Sequence, residues 1–291
     1  MKIIQVSSGL GNQMFQYALY KKISLNDNDV FLDSSTSYMM YKNQHNGYEL
    51  ERIFHIKPRH AGKEIIDNLS DLDSELISRI RRKLFGAKKS MYVELKEFEY
   101  DPIIFEKKET YFKGYWQNYN YFKDIEQELR KDFVFTEKLD KRNEKLANEI
   151  RNKNSVSIHI RRGDYYLNKV YEEKFGNIAN LEYYLKAINL VKKKIEDPKF
   201  YIFSDDIDWA QKNINLTNDV VYISHNQGNE SYKDMQLMSL CKHNIIANST
   251  FSWWGAFLNN NDDKIVVAPK KWINIKGLEK VELFPENWIT Y

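Results

Sequence analysis

Short β-branched runs alternate with amphipathic stretches through the second half of this chain, and that alternation limits the fold more than any other feature. Ser155–Ile160, Phe200–Phe203, Val220–Ile223, Asn244–Ala247 and Ile265–Ala268 read as strands. Between them Leu181–Ile195, with Tyr184, Leu185, Ile188 and Val191 inward, reads as a helix, as do Ser231–Cys241 and a stretch beginning near Phe251. Strand alternating with helix in this way argues for a parallel, doubly wound sheet.

The first half opens with the same unit. Ile3–Val6 is a β-branched run, Ser7-Ser8-Gly9-Leu10-Gly11-Asn12 a glycine-rich turn, and Met14, Phe15, Ala18, Leu19 and Ile23 follow at helical spacing. Val30–Asp33 and Thr110–Tyr115 read as further strands, and a polar helix is expected from about Asn120 to Arg130. The expected organisation is therefore α/β, with one Rossmann-like domain over 1–153 and a second over 154–291, the boundary lying at the end of the charged helix Lys138–Lys153. Two such halves facing across a cleft would hold a ligand outside the carboxyl ends of the strands. Lys63–Phe85 is expected as one amphipathic helix with Ile65, Ile66, Leu69, Leu72, Leu76, Ile77, Ile80 and Leu84 on one stripe and Gly86 after its end. The basic residues Arg79, Arg81, Arg82, Lys83, Lys88 and Lys89 near that end make either a solvated face or a peripheral contact with an anionic membrane.

Composition removes several classes. A net charge of +3 gives no bulk electrostatic case for nucleic acid. One cysteine, Cys241, excludes an internal disulfide and sits in an apolar stretch. The first residues are too interrupted for a signal peptide and no apolar run is long enough to cross a bilayer, so a cytoplasmic protein, peripheral at most to the inner face of the membrane, is expected. Aromatic residues make up 14% of the chain, which suits a core and also a sugar site.

The chemistry-bearing clusters all follow expected strands. Gly9-Leu10-Gly11-Asn12-Gln13 precedes a helix N-terminus, where free amides favour an anion, although two glycines also make an ordinary turn. In His159-Ile160-Arg161-Arg162-Gly163-Asp164-Tyr165, adjacent arginines at a strand end need either Asp164 or a bound anion, and guanidinium groups suit a diphosphate. In Phe203-Ser204-Asp205-Asp206 the carboxylates can cap the next helix, accept from a guanine edge, or bind a metal, for which no third hard ligand stands nearby. Asn248-Ser249-Thr250-Phe251-Ser252-Trp253-Trp254-Gly255 leads into a helix and offers amides and hydroxyls to a phosphate, with the two tryptophans as packing anchors.

These clusters together resemble the bacterial and animal α-1,2-fucosyltransferases of glycosyltransferase family 11. The resemblance is carried by Gly9–Ala18, by Gly114-Tyr115-Trp116-Gln117 with Tyr121-Phe122, by His159–Tyr165, by Phe203–Asp206 and by Asn248–Gly255, in the family's order. Tyr38–Phe105 matches no part of it. The resemblance implies the two-domain GT-B architecture, GDP-β-L-fucose as co-substrate, a galactose-terminated glycan as acceptor, inversion by single displacement, and no metal or other cofactor. It also implies that Arg161 binds the β-phosphate and stabilises leaving GDP, that His159 with Asp205 or Asp206 lies near the guanosine, and that Ser249, Thr250, Phe251 and Ser252 complete the donor pocket. The acceptor hydroxyl needs a general base. Asp164 is the expected base, with Gly9, Gly11, Asn12, Gln13 and Trp116 as phosphate-loop or acceptor-positioning groups. Two rivals remain at this level. One is a GDP-fucose-dependent transferase acting on a protein hydroxyl or a chitin oligosaccharide, and the other is a non-catalytic sugar-binding protein, which clustered arginines explain poorly.

Overall fold

The computed structural model describes residues 1–40, 45–72, 76–86, 88–216, 220–278 and 281–291, without the side chains of 76–78 and 164. The chain divides into two units, Met1–Thr136 and Glu137–Tyr291. The division falls ahead of the charged helix Lys141–Arg151, because that helix turns Ala147 and Ile150 inward and opens the second unit.

In the first unit, β1 (Lys2–Gln5), β2 (Val30–Asp33), β3 (Met91–Val93) and β4 (Thr110–Lys113) form a parallel sheet in the order β2-β1-β4-β3. Ile3 and Ile4 on β1 and Tyr111 and Phe112 on β4 are fully buried, as β-branched and aromatic residues on a two-sided sheet should be. The helix Leu10–Ser24 follows β1 directly and buries Met14, Phe15, Ala18 and Leu19 completely. β3 lies in the segment without motifs and is an addition to the strands expected.

The long amphipathic helix expected over Lys63–Phe85 is two pieces, Lys63–Leu69 and Leu76–Phe85. Ser70 is extended at φ −100° and ψ 165°, and Asp71 accepts from the Lys88 amide and pairs with Arg81, which turns the chain out of the helix. The second piece carries no core stripe at its end: Ile80, Leu84 and Phe85 are exposed. Residues 73–75 of the expected helix lie outside the described residues. The helix expected over Asn120–Arg130 is likewise replaced by short 3₁₀ turns at Tyr119–Tyr121 and Lys123–Ile125, followed by an α-helix at Glu126–Asp132.

In the second unit, β5 (Asn154–Ile160), β6 (Pro198–Ser204), β7 (Val220–Ile223), β8 (His243–Ile245), β9 (Val266–Ala268) and β10 (Ile289–Thr290) form a parallel sheet in the order β10-β9-β8-β5-β6-β7. The order reverses at β5, from which β6 and β7 extend one way and β8 to β10 the other, so β5 stands at a topological switch point. Val156, Ile158, Ile160, Phe200 and Ile202 pack with Tyr184, Ala187, Ile188 and Val191 of the helix Leu181–Lys194. Leu185, expected inward, is 43% exposed, because it lies about 100° around the helix from Tyr184. Trp253 and Trp254 are fully buried, and the Trp253 indole donates to the Leu283 carbonyl at 3.0 Å. Cys241 is buried as well. No described helix is long and apolar enough to cross a membrane.

Candidate active site

The carboxyl end of β5 sets up the second unit's site. β5 and β6 run in register, with His159 beside Phe203 and Ile160 beside Ser204, so the residues just past them meet as neighbours. Arg161 Nη1 contacts Asp205 Oδ2 at 2.9 Å, and the other oxygen of that carboxylate accepts from the Arg162 amide at 2.8 Å. Asp205 therefore ties the turn after β5 to the turn after β6. Gly163 is required there: a Cβ at that position would stand 2.8 Å from Asp205 Oδ2.

Arg162 is held as structure. Its Nε lies 3.0 Å from Asp206 Oδ2, and its guanidinium lies over the rings of Tyr166 and Trp209 at 4.1 and 4.3 Å. Asp206 in turn caps the helix Ile207–Asn213 by accepting from the Trp209 amide at 3.1 Å. Arg161 differs. Its side chain keeps a third of its surface exposed, and its guanidinium lies 5.7 Å from the ring of Tyr165. Of the two arginines, Arg161 is the one whose guanidinium is presented at the sheet edge.

His159 lies beneath this edge, buried, with its ring 5.8 Å from that of Phe251. Burial pushes its pKa down to about 4; Arg161 adds to the depression and Asp205 opposes it. The imidazole is therefore neutral at physiological pH, and its Nδ1 is a buried polar atom without a hydrogen bond among the described residues.

The turn after β8 reaches the same edge. The Tyr165 hydroxyl donates to the Asn248 carbonyl at 3.1 Å, and the Asn248 amide donates to the carbonyls of Phe175 and Trp272. Ser249 occupies the cap position of the helix Thr250–Phe257 without a side-chain capping bond. Ser252 is fully buried and its hydroxyl donates back to the Ser249 carbonyl at 3.2 Å, while Thr250 and Phe251 are half-buried. His159, Arg161, Asp205 and the Ser249–Ser252 turn thus come to one sheet edge. Asp164 opens the helix Gly163–Leu167, but its side chain lies outside the described residues. Among the described residues, no three His, Cys, Asp or Glu side chains are grouped as metal ligands.

The glycine-rich turn belongs to the first unit. Gln13 is fully buried and its amide is consumed by backbone: Nε2 donates to the carbonyls of Ser8 and Gly47, and Oε1 accepts from the Glu49 amide. Gln16 does the same between Ser7 and the Gly114 carbonyl. These glutamines clamp the turns after β1 and β4, a role that nothing in their spacing distinguishes from ligand contact. Asn12 Oδ1 accepts from Gln117 at 2.8 Å. Gly9 and Gly11 frame the helix start, with a Cβ at Gly9 meeting the His45 ring at 3.3 Å. Trp116 is 1% exposed, stacked on Tyr92 and held at φ +56°, so it is part of the core beneath the turn.

Sequence reasoning missed Glu94, which directly follows β3. Its Oε2 accepts from the amides of Tyr115 and Trp116 at 2.7 and 3.3 Å, and its Oε1 is buried with no hydrogen-bond partner among the described residues. Burial pushes its pKa up to about 7; the two amide bonds resist the rise and Glu97 adds to it.

The comparisons with known proteins agree with this geometry. The sequence model of Glycosyl transferase family 11 matches residues 71–291. An α-1,2-colitosyltransferase of Escherichia coli is 33% identical, the alignment covering 99% of this chain and 97% of that protein. The O-antigen biosynthesis glycosyltransferase WbnK of Escherichia coli is 33% identical over 98% of each. Galactoside α-(1,2)-fucosyltransferase 1 of Ateles belzebuth is 26% identical over 51% of this chain and 43% of its own. Among solved structures, an α-1,6-fucosyltransferase NodZ soaked with GDP-fucose superposes with a TM-score of 0.53 at 14% identity, covering 88% of this chain and 91% of that one, which places the fold in the GT-B class. Two parallel α/β units, an arginine-bearing turn at a switch-point strand and a match along most of the sequence lead to one conclusion: the chain belongs to glycosyltransferase family 11, as an α-1,2-fucosyltransferase-like member.

Proposed function

We propose that the protein transfers L-fucose from GDP-β-L-fucose to the 2-hydroxyl of a terminal galactose, with inversion at the anomeric carbon and without a metal ion. The observation that carries this reading is Arg161, a guanidinium anchored by Asp205 at 2.9 Å yet partly exposed at the carboxyl end of β5. When the bond between the sugar and the diphosphate breaks, negative charge develops on the β-phosphate. A preorganised cation aimed at that charge lowers the barrier, typically by about 3 kcal/mol for a single donor. Neutral His159 and the Ser249–Ser252 turn supply further polar groups at the same edge.

One specific observation favours a second donor. One of the relatives that are 33% identical over nearly all of this chain is a colitosyltransferase, and colitose is L-fucose without its 3-hydroxyl. A pocket that hydrogen-bonds that hydroxyl would reject the deoxy sugar by as much as roughly 10⁴-fold, because its own polar groups would be left unpaired. Parallel reactions with GDP-fucose, GDP-colitose, UDP-galactose and CMP-sialic acid test the proposal against a panel of galactosides. Transfer from GDP-fucose with no turnover of the UDP- and CMP-sugars is expected. Preference for GDP-colitose would change the donor and keep the chemistry, whereas comparable turnover of a UDP-sugar would end the guanine assignment.

A further inference from the structure

Between 76 and 89 the sequence holds six basic residues, Arg79, Arg81, Arg82, Lys83, Lys88 and Lys89, and no acidic one. The whole chain has a net charge of only +3, so the remainder is net negative and this segment is a concentrated positive patch. Leucine, isoleucine and phenylalanine are interleaved with the charges, and the segment forms the helix Leu76–Phe85. On a water-soluble domain, a helix of that composition turns its apolar stripe to the core and its charges to solvent.

This helix does the opposite. Successive residues advance about 100° around a helix, so Arg79 and Lys83 form one stripe, Ile80 and Leu84 an adjoining one, and Arg81 and Arg82 lie on the far side. The far side faces the protein: Arg81 pairs with Asp71, and Arg82 Nη1 donates to the Asp71 carbonyl at 2.8 Å. Asp71 also accepts from the Lys88 amide, and Lys88 Nζ donates to the Asn68 carbonyl at 3.0 Å. Polar bonds therefore tie the excursion between 71 and 88 to the end of the helix Lys63–Leu69, and Gly86 at φ +75° makes the turn that closes it. With two arginines inward, the apolar side chains point outward: Ile80 is 51% exposed, Leu84 69%, and Phe85 at the helix end 80%. Arg79, Lys83 and Lys89 are exposed as well. Among the described residues, the adjoining core cluster of Ile3, Ile66, Leu69 and Tyr111 takes no side chain from this helix.

Grouped apolar side chains in water call for a surface to cover them, and the charges beside them decide which. A second copy of this chain, meeting the patch with its own, would bring like cations together. A neutral apolar partner would leave Arg79 and Lys83 without counter-charge. An anionic bilayer supplies both halves, acyl chains for the apolar stripe and phosphates for the cations, whose aliphatic stems reach to the headgroup level. Ten residues are too few to cross a membrane, so the helix would lie along it. Lys88 stands just ahead of β3, which puts the patch at the amino end of the first unit's sheet. Contact there leaves the turns at the carboxyl end uncovered.

We propose that the helix Leu76–Phe85 docks the protein on an anionic phospholipid surface, with Ile80, Leu84 and Phe85 entering the bilayer interface and Arg79, Lys83 and Lys89 meeting lipid phosphates. The inference is independent of the donor and acceptor assigned above.

The test is co-sedimentation of the whole chain with phosphatidylcholine vesicles that contain or lack phosphatidylglycerol, at low and at raised salt. Binding is expected only to the vesicles with phosphatidylglycerol, and it should weaken as salt rises. Each basic residue close to such a surface is worth roughly a fivefold gain in partitioning, so Arg79→Ala combined with Lys83→Ala should weaken binding by roughly 25-fold. Ile80→Ser, Leu84→Ser and Phe85→Ser together should weaken it by about 10-fold or more and leave Tm unchanged, because these side chains are outside the core. A polarity-sensitive dye on Leu84→Cys should shift its emission to the blue when the anionic vesicles are added; the native Cys241 is buried, out of the dye's reach. Equal binding to both vesicle types, no binding to either, or binding that survives both combined variants would overturn the proposal. So would a serine variant that melts well below wild type or fails to fold, since its side chains would then belong to the core. A wild-type dimer that the serine variant turns into a monomer would give the face to a second copy of this chain and overturn the proposal equally.

Discussion

Replacing Arg161 by alanine separates electrostatic catalysis from structural pairing. Arg161 Nη1 pairs with Asp205 Oδ2 at 2.9 Å, with 33% and 25% of the two side chains exposed. Exposure of that order leaves a pair worth roughly 0.2–1 kcal/mol, and Asp205 retains its bond from the Arg162 amide after the substitution. In a unit of this size that corresponds to a fall in Tm of about 1–4 °C. The catalytic loss should be far larger. Withdrawing one donor from the developing charge on GDP raises the barrier by about 3 kcal/mol, or roughly 10²-fold in turnover. Lysine should rescue weakly, because an ammonium cannot reproduce a planar two-pronged donor. Steady-state rate, GDP affinity and Tm measured on the same purified Arg161→Ala and Arg161→Lys samples decide the matter. A folded Arg161→Ala enzyme with near-normal turnover would refute the reasoning. So would a collapse in Tm large enough to explain the lost activity by itself.

Three further outcomes follow from the same geometry. Gly163→Ala places a Cβ 2.8 Å from Asp205 Oδ2, so the carboxylate must move and Arg161 with it. Turnover should fall by roughly 10-fold or more with a small loss in Tm, and an unaffected enzyme would show that Asp205 does not set the position of Arg161. His159 has its pKa depressed from 6.5 to about 4, so the unfolded chain takes up a proton there before the native one does. Its contribution is present above about pH 6.5 and fades as pH falls towards 4; between pH 7.5 and 5.5 it amounts to about 1 kcal/mol, which urea melts of wild type and His159→Gln should reveal as a smaller acid loss in the variant. Full activity is expected in excess EDTA, and a loss restored only by magnesium or manganese would mean that Asp205 and Asp206 serve a metal.

Much of this architecture is legible in the sequence because its strands are buried and β-branched. β5, β6, β7 and β9 stand within two residues of where Ser155–Ile160, Phe200–Phe203, Val220–Ile223 and Ile265–Ala268 put them. β3 and β10 are three and two residues long, too short for any periodicity to register. The break at Ser70 is a tertiary effect, since Asp71 is held by Arg81 and Lys88 from beyond the turn. The arginine turn was recognisable by its composition, but Asp205 as the partner of Arg161 depends on the register of β5 with β6, and register is not written in either strand alone. Gln13 reads as a candidate positioning group and acts as a clamp, as Gln16 also does, which only their hydrogen-bond partners reveal. Glu94 had no signal at all. It is a single acidic residue after Met91-Tyr92-Val93, and its isolation from water arises from a turn about twenty residues later in the chain.

The central claim is a fucosyl transfer to the 2-hydroxyl of galactose, and the bond formed is its most direct test. Purified protein incubated with GDP-fucose and a galactose-terminated oligosaccharide should yield GDP and one new product. Methylation analysis and the anomeric proton coupling of that product should give fucose α-linked to position 2 of galactose. A β-linkage, attachment at any other position of the galactose, or release of GDP with free fucose and no glycoside at every acceptor in the panel would contradict the account.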